Sequence, residues 1–336
     1  MAQLKLIARD NLAKLFEELI KSGKQVIAPR KKGAKFYFAP VKSLSEVEFD
    51  FVQTVLSAKS QVFPRTEELF HFIVKGGDIL TKDGALNIPE TVIFGVRPCD
   101  AAAFEYMKDF FLKENPDYHF AMRLEKTTLI ALSCKKSDEY CFCTSVGLSP
   151  GSTRGSDLTF TDIGDGKFYV ESVSDKGDAL INKSAALFEA TEMISKTHYV
   201  ADVPVAFDAA QLTARGMDMY KEKKWNEHAL ACLACGACAF SCPTCTCFDI
   251  QDETTPKGGS RYRIWDACAQ PLFTLHASGH NPRHAQHERW RHRVLHKFKY
   301  SVDNLGAVSC VGCGRCARAC PAGMNILSHI TNLLEA

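Results

Sequence analysis

Cys232-Leu-Ala-Cys235-Gly-Ala-Cys238-Ala-Phe-Ser-Cys242-Pro243 and, further along, Cys310-Val-Gly-Cys313-Gly-Arg-Cys316-Ala-Arg-Ala-Cys320-Pro321 decide how this chain is read. Each is a triplet of cysteines at steps of three, then a fourth cysteine and a proline, the run that binds [4Fe–4S] clusters in bacterial ferredoxins. Three thiolates on one tight loop reach three irons of a single cube. Small residues between them (Ala234, Gly236, Ala237, Gly312, Gly314) let the backbone approach the inorganic sulfides. The fourth cysteine lies too far along to close the same cube, and in two-cluster ferredoxins it ligates the other one. The expected sets are Cys232, Cys235 and Cys238 with Cys320, and Cys310, Cys313 and Cys316 with Cys242. Structural zinc also takes four thiolates, but usually as two CxxC pairs rather than a triplet plus Cys-Pro twice over.

Working outward, the chain holds 15 cysteines, so seven lie beyond these motifs. Cys99, Cys134, Cys141 and Cys143 form a loose group, with Cys99 and Cys134 each following an apolar run and so expected at strand ends. Four is the number a third [4Fe–4S] cluster takes; the alternative is buried thiols acting as small hydrophobes. Cys245, Cys247 and Cys268 suffice for a fourth cluster with one non-cysteine ligand, or for a [3Fe–4S] cluster. Asp249, Asp266 and His280 are candidates for that ligand, and structural thiols are again the alternative. The cofactor expectation is two [4Fe–4S] clusters, with one or two further Fe–S clusters left open.

Residues 1–98 contain no cysteine, and the shift in composition places a domain boundary near residue 215. The expected fold is α+β: a mixed α/β domain over 1–215, then a ferredoxin-like dicluster domain over 216–336 with a long helical insert at about 246–303. In the first part, Leu12, Leu15, Phe16, Leu19 and Ile20 predict a helix capped by Asp10 and stopped by Gly23. Strands are predicted at Gln25–Ala28, Lys35–Ala39, Thr91–Val96 and Thr128–Ser133, a hairpin around Gly164-Asp165-Gly166, and a helix over about 185–195. In the insert, Trp290, Val294 and Phe298 recur every four residues beside many Arg, Lys and His. That pattern predicts an amphipathic helix whose basic face is solvated, with docking to an acidic partner the next reading and nucleic-acid binding the least favoured.

The 336 residues are 46% hydrophobic and 24% charged, with Lys+Arg 41 against Asp+Glu 39, the balance of an ordinary globular chain. Two [4Fe–4S] centres with four thiolates each would move the formal +2 to about −2. Met1–Lys21 carries charges every few residues and no apolar signal core, and no stretch approaches the ~20 apolar residues of a membrane span. A reduced, cytoplasmic protein is the expectation. No GxGxxG after a strand, no GxxxxGK[ST] and no HExxH occurs, so no catalytic residue is assigned.

Gly95–Asp100 (GVRPCD), the CFC at Cys141–Cys143, CLACGACAFSCPTCTCFDI at Cys232–Ile250, WDAC at Trp265–Cys268, GHNPR and HKFKY together resemble one family. It is the dicluster β subunits of cytoplasmic multi-subunit oxidoreductases, a group that includes the β chain of NAD(P)-linked [NiFe] hydrogenases (sulfhydrogenases) and the A subunit of anaerobic sulfite reductase. The similarity spans roughly residues 90–330. It implies an electron-transfer subunit between a flavoprotein that reacts with NAD(P)H and a catalytic subunit of hydrogenase or sulfite reductase type, with no membrane contact. The competing functions are an oxidoreductase that binds flavin or substrate itself, and a redox-sensing metal protein that binds nucleic acid.

Overall fold

The computed structural model describes residues 3–83 and 88–335. Its larger sheet has eight strands: β1 Leu4–Ala8, β2 Gln25–Lys32, β3 Lys35–Pro40, β6 Thr91–Val96, β7 Thr127–Leu132, β8 Leu158–Gly164, β9 Lys167–Ser172 and β10 Glu189–Ala190. They lie in the order β10-β1-β9-β8-β7-β6-β2-β3. The central strands β2, β6, β7 and β8 run parallel, and the outer pairings are antiparallel. Every residue of β6 is buried, because both faces of the sheet are covered. Val92 and Phe94 pack with Leu12, Leu15, Phe16 and Leu19 of the helix Arg9–Lys21. Ile93 and Val96 pack with Ala101, Phe104, Met107 and Phe111 of the helix Pro98–Leu112 on the other side. Val96 joins Ile93 despite its even spacing from Phe94 because the register shifts between Phe94 and Val96, at Gly95 with φ +77°. A bulge of this kind re-aims the chain that follows, here Arg97-Pro98-Cys99.

The second sheet has four strands, β4 Thr66–Lys75, β5 Asp78–Asp83, β11 Phe248–Thr255 and β12 Gly258–Trp265, in the order β11-β12-β4-β5. It takes two strands from each side of residue 215. The insert therefore opens with a hairpin and is helical only afterwards, over Gln286–Leu295 and the segment that continues to Leu305. Arg263 of β12 is buried between Glu67 and Asp117, so an ion-pair cluster ties this sheet to the helix Tyr118–Glu125. The third core gathers Trp225, Trp290, Val294, Phe298, Ile326, Ile330 and Leu333, with Cys232, Cys310, Cys316 and Cys320 packed against it.

Several local expectations shift. The first helix begins after Ala8, whose side chain gives no cap, and Asp10 lies inside its first turn. The helix expected at 185–195 lies earlier, at Asp175–Lys183, where the Ser174 hydroxyl accepts from the Gly177 amide. Residues 185–190 instead form one short 3-10 turn and the edge strand β10. The four predicted strands fall at β2, β3, β6 and β7, with β2 running on to Lys32 and β7 set one residue earlier, and the hairpin around Gly164–Gly166 is formed by β8 and β9.

Candidate iron–sulfur centres

The two cysteine triplets lie on loops with the same backbone course. Ala234 and Gly236 have φ +55° and +74°, and Gly312 and Gly314 have φ +62° and +69°. Left-handed residues at matching positions curl each loop tightly. Each loop then enters a single helical turn, Ala237–Phe240 or Arg315–Arg318, with the fourth cysteine just beyond it. Cys232, Cys235, Cys238 and Cys320 line one cavity together with Cys316. Cys310 and Cys313 each interact electrostatically with Cys316 and Cys242. The space beside the loops is fully used: a Cβ on Gly312 would stand 2.5 Å from the Cys143 backbone, and one on Gly236 would stand 2.9 Å from Ala267 Cβ.

The other cysteines also meet. Cys99 sits in the first turn of the helix after β6, Cys134 follows the end of β7, and both border a cavity with Cys141, Cys143, Gly312 and Cys313. These are the carboxyl ends of parallel strands, where open α/β sheets place ligands. A larger cleft at the opposite edge, bordered by Lys24, Glu90, Lys126 and Lys176, includes no cysteine. Cys245, Cys247 and Cys268 line a third cavity. The β11–β12 pairing closes it, since Phe248 pairs with Trp265 and the Asp266 amide donates to the Cys247 carbonyl at 3.0 Å. Of the suggested fourth ligands, Asp249 is exposed, Asp266 accepts from the Ala267 amide, and His280 stands exposed beside His276; none lines this cavity. His292 and His296 do. Among the described residues no three His, Cys, Asp or Glu groups close on a point tightly enough for a single ion; the thiols border cavities instead.

Charge decides what such cavities suit. Lys59, Arg97, Arg293 and Lys297 are each 2–3% exposed, and none has a carboxylate partner among the described residues. Lys297 Nζ donates to Cys242 Sγ at 3.3 Å, to Thr244 Oγ1 at 3.1 Å and to the Ser309 carbonyl. Arg293 donates to Cys245 Sγ at 3.3 Å and to the Cys238 carbonyl at 2.8 Å. Lys59 donates to the Cys245 carbonyl at 2.8 Å and covers the Trp265 ring. Arg97 binds the carbonyls of Leu132, Ser133, Phe49 and Phe51, and acts electrostatically on Cys134 and Cys99. An uncompensated buried cation costs several kcal/mol, so each needs negative charge close by. Thiolates bound to an iron–sulfur core supply it. Burial pushes the Cys134 and Cys310 thiols up to about 11 and the Cys143 and Cys313 thiols to about 12. Cys242 moves the other way, held as thiolate by a hydrogen bond from Cys245 and by Lys297. The donor set and the buried cations thus fit anionic clusters.

Further side-chain donors complete the surroundings. Gln53 Nε2 reaches Cys99 Sγ at 3.0 Å, Gln286 Nε2 reaches Cys232 Sγ at 2.9 Å, and Arg318, paired with Asp138, reaches Cys141 Sγ at 3.3 Å. Arg315, from inside the second triplet, makes a buried two-pronged ion pair with Asp100, the residue after Cys99. The basic helix is corrected accordingly. Arg289, Arg293 and Lys297 form a buried row at i, i+4 and i+8 beside the apolar row Trp290, Val294 and Phe298. Arg293 and Lys297 reach cysteine sulfur, and Arg289 donates to the carbonyls of Ala269, Arg283 and His284 instead of facing water.

Residues 231–324 match a 4Fe-4S dicluster domain family. The chain as a whole is similar to a sulfhydrogenase β subunit. It is 29% identical over 329 residues to sulfhydrogenase 2 subunit beta of Pyrococcus furiosus, an alignment covering 95% of each chain. No helix among the described residues is long and apolar enough to cross a membrane.

Proposed function

We propose that this chain is the electron-transfer subunit of a multi-subunit oxidoreductase of hydrogenase or sulfite reductase type. It relays electrons between a flavoprotein subunit that reacts with NAD(P)H and a catalytic subunit, in the reducing cytoplasm. The observation that carries this reading is the set of four buried, carboxylate-free cations around the cysteine groups. When bound, [4Fe–4S] clusters take up and release one electron at a time, over potentials tuned by charge, hydrogen bonds and burial.

The chain's own residues would divide the work as follows. Cys232, Cys235, Cys238 and Cys320 hold one cluster, and Cys310, Cys313, Cys316 and Cys242 the second. Because each set borrows its fourth ligand from the other loop, the two lie side by side. Cys99, Cys134, Cys141 and Cys143 hold a third, separated from the second by little more than the Gly312–Cys143 contact and the Arg315–Asp100 pair. Cys235 is exposed and follows closely on Leu230 and Leu233, which are 84% and 68% exposed, so the first set approaches solvent where a partner can reach it.

Anaerobic purification with iron and acid-labile sulfide analysis tests the reading. At least about eight irons per chain are expected, about twelve with the third site. Cys134→Ser should remove about four of them and leave the dicluster signals in the electron paramagnetic resonance spectrum. A colourless, zinc-loaded chain would end the proposal.

A further inference from the structure

Accepting that the cysteine groups hold iron–sulfur clusters, we infer that Cys245, Cys247, Cys268 and His296 form a further [4Fe–4S] site with one histidine ligand. Three thiols and two imidazoles border the cavity, so the question is which ring nitrogen can offer a lone pair. His292 is committed elsewhere. Arg283 Nη1 lies 3.0 Å from His292 Nδ1, and a guanidinium only donates, so Nδ1 accepts and the ring proton sits on Nε2. Neither nitrogen of His292 is then free. His296 makes no side-chain hydrogen bond among the described residues and stacks on His292 at 5.7 Å and 13°. At His296 the helix changes to a π turn that runs to Tyr300, a distortion common at functional sites. It marks the point where His296 and Lys297 leave the helix on the cysteine side.

The charge balance favours this set. Arg293 and Lys59 act electrostatically on Cys247, and Arg293 and Lys297 on Cys245. A core held by three thiolates and a neutral imidazole carries about −1, one less than with four thiolates, so these cations offset it fully. On ligation each thiol loses its proton to solvent, and the imidazole gives only a lone pair. Phe110 and Phe248 at the cavity rim are 39% and 38% exposed, so the site opens towards the surface. Replacing a thiolate by imidazole raises a cluster's potential, as two such replacements do in Rieske centres.

The test uses the intact chain purified without oxygen, with and without ¹⁵N-histidine. The reduced protein should show a strong nitrogen hyperfine coupling from one cluster, with the isotope pattern of histidine. His296→Ala should abolish that coupling and lower iron by about one to four per chain, the dicluster signals persisting. His296→Cys should keep the iron, lose the coupling and lower the potential of that cluster. Cluster signals without histidine coupling, or unchanged iron and spectra in His296→Ala, would overturn the assignment while leaving the relay standing. If the wild-type chain holds no iron–sulfur cluster at all, both readings fall together.

Discussion

Lys297→Met removes a positive charge from the interior without leaving a large cavity, since methionine keeps most of the stem. The ammonium lies 3.3 Å from Cys242 Sγ and is buried to 3% exposure, so solvent screens it weakly. A unit charge about 5 Å from the centre of a reducible core, at an effective dielectric constant of about 20, contributes ~3 kcal/mol. For a one-electron couple that is about 140 mV. Reduction adds negative charge, which the cation favours, so its loss should lower the potential of the cluster bound by Cys242. Water entering the site halves the figure at most, and a fall of about 70–140 mV is expected. A redox titration followed by electron paramagnetic resonance at low temperature measures it, with iron content as the control for assembly. Lys297→Arg, which keeps the charge, should move the potential far less. A Lys297→Met protein with full iron content and an unmoved or raised potential would refute the electrostatic reasoning.

Other perturbations read other parts of the molecule. Asp100→Asn leaves Arg315 buried and unpaired, so thermal unfolding should show a loss of about 3–5 kcal/mol; a near-neutral result would mean that Cys313 and its cluster already balance the guanidinium. Gly312→Ala meets the Cys143 backbone at 2.5 Å in a left-handed conformation, and should reduce iron retention on size-exclusion chromatography, whereas Gly323→Ala, with φ +68° and open space, should not. His228 and His329 stack at 4.3 Å, and burial followed by the neighbouring His228 lowers His329 to about 4. The folded state thus prefers the neutral ring, and stability is lost as pH falls from about 6.5 towards 4 because the unfolded chain binds the proton first. His329→Gln should flatten that fall, narrowing the Tm difference between pH 7 and pH 5 by about 2–4 °C, the size of a 1 kcal/mol effect in a large domain; an unchanged pH profile would show that other groups govern it.

The ligand triplets were legible because their geometry is local: steps of three in sequence become one loop in space, and the left-handed turns at Gly236, Gly312 and Gly314 follow from the residues themselves. The convergence of Cys99, Cys134, Cys141 and Cys143 was not legible, since it depends on β6 and β7 lying side by side with their ends in register. The hairpin Phe248–Trp265 carried an available signal, alternation around a Pro-Lys-Gly-Gly turn, but its partner β4 lies about 190 residues upstream and no local pattern names it. Burial of Arg293 and Lys297 was the largest departure. Basic residues are ordinarily solvated, so composition argued for an exposed face. The overlooked cue was their spacing, Arg289-x3-Arg293-x3-Lys297, a stripe adjoining the apolar one and too regular for a merely soluble surface.

That stripe explains why a small ferredoxin motif sits inside so large a chain. A dicluster loop pair can bind its irons with about sixty residues of its own, but it cannot easily bury cations beside them. Here the insert supplies Arg293 and Lys297, the N-terminal sheet supplies Arg97 at the end of β6, and the segment before β4 supplies Lys59. Each cation is held by backbone carbonyls, hydroxyls, a ring face or cysteine sulfur, with no carboxylate to cancel it among the described residues. A carboxylate would stabilise the empty protein and leave the charge of the bound clusters unanswered. The present arrangement does the reverse: it burdens the empty chain and favours the loaded one. On the proposed reading, folding and cluster insertion are coupled, with the additional domain supplying the cations that offset the clusters' charge in a dry interior.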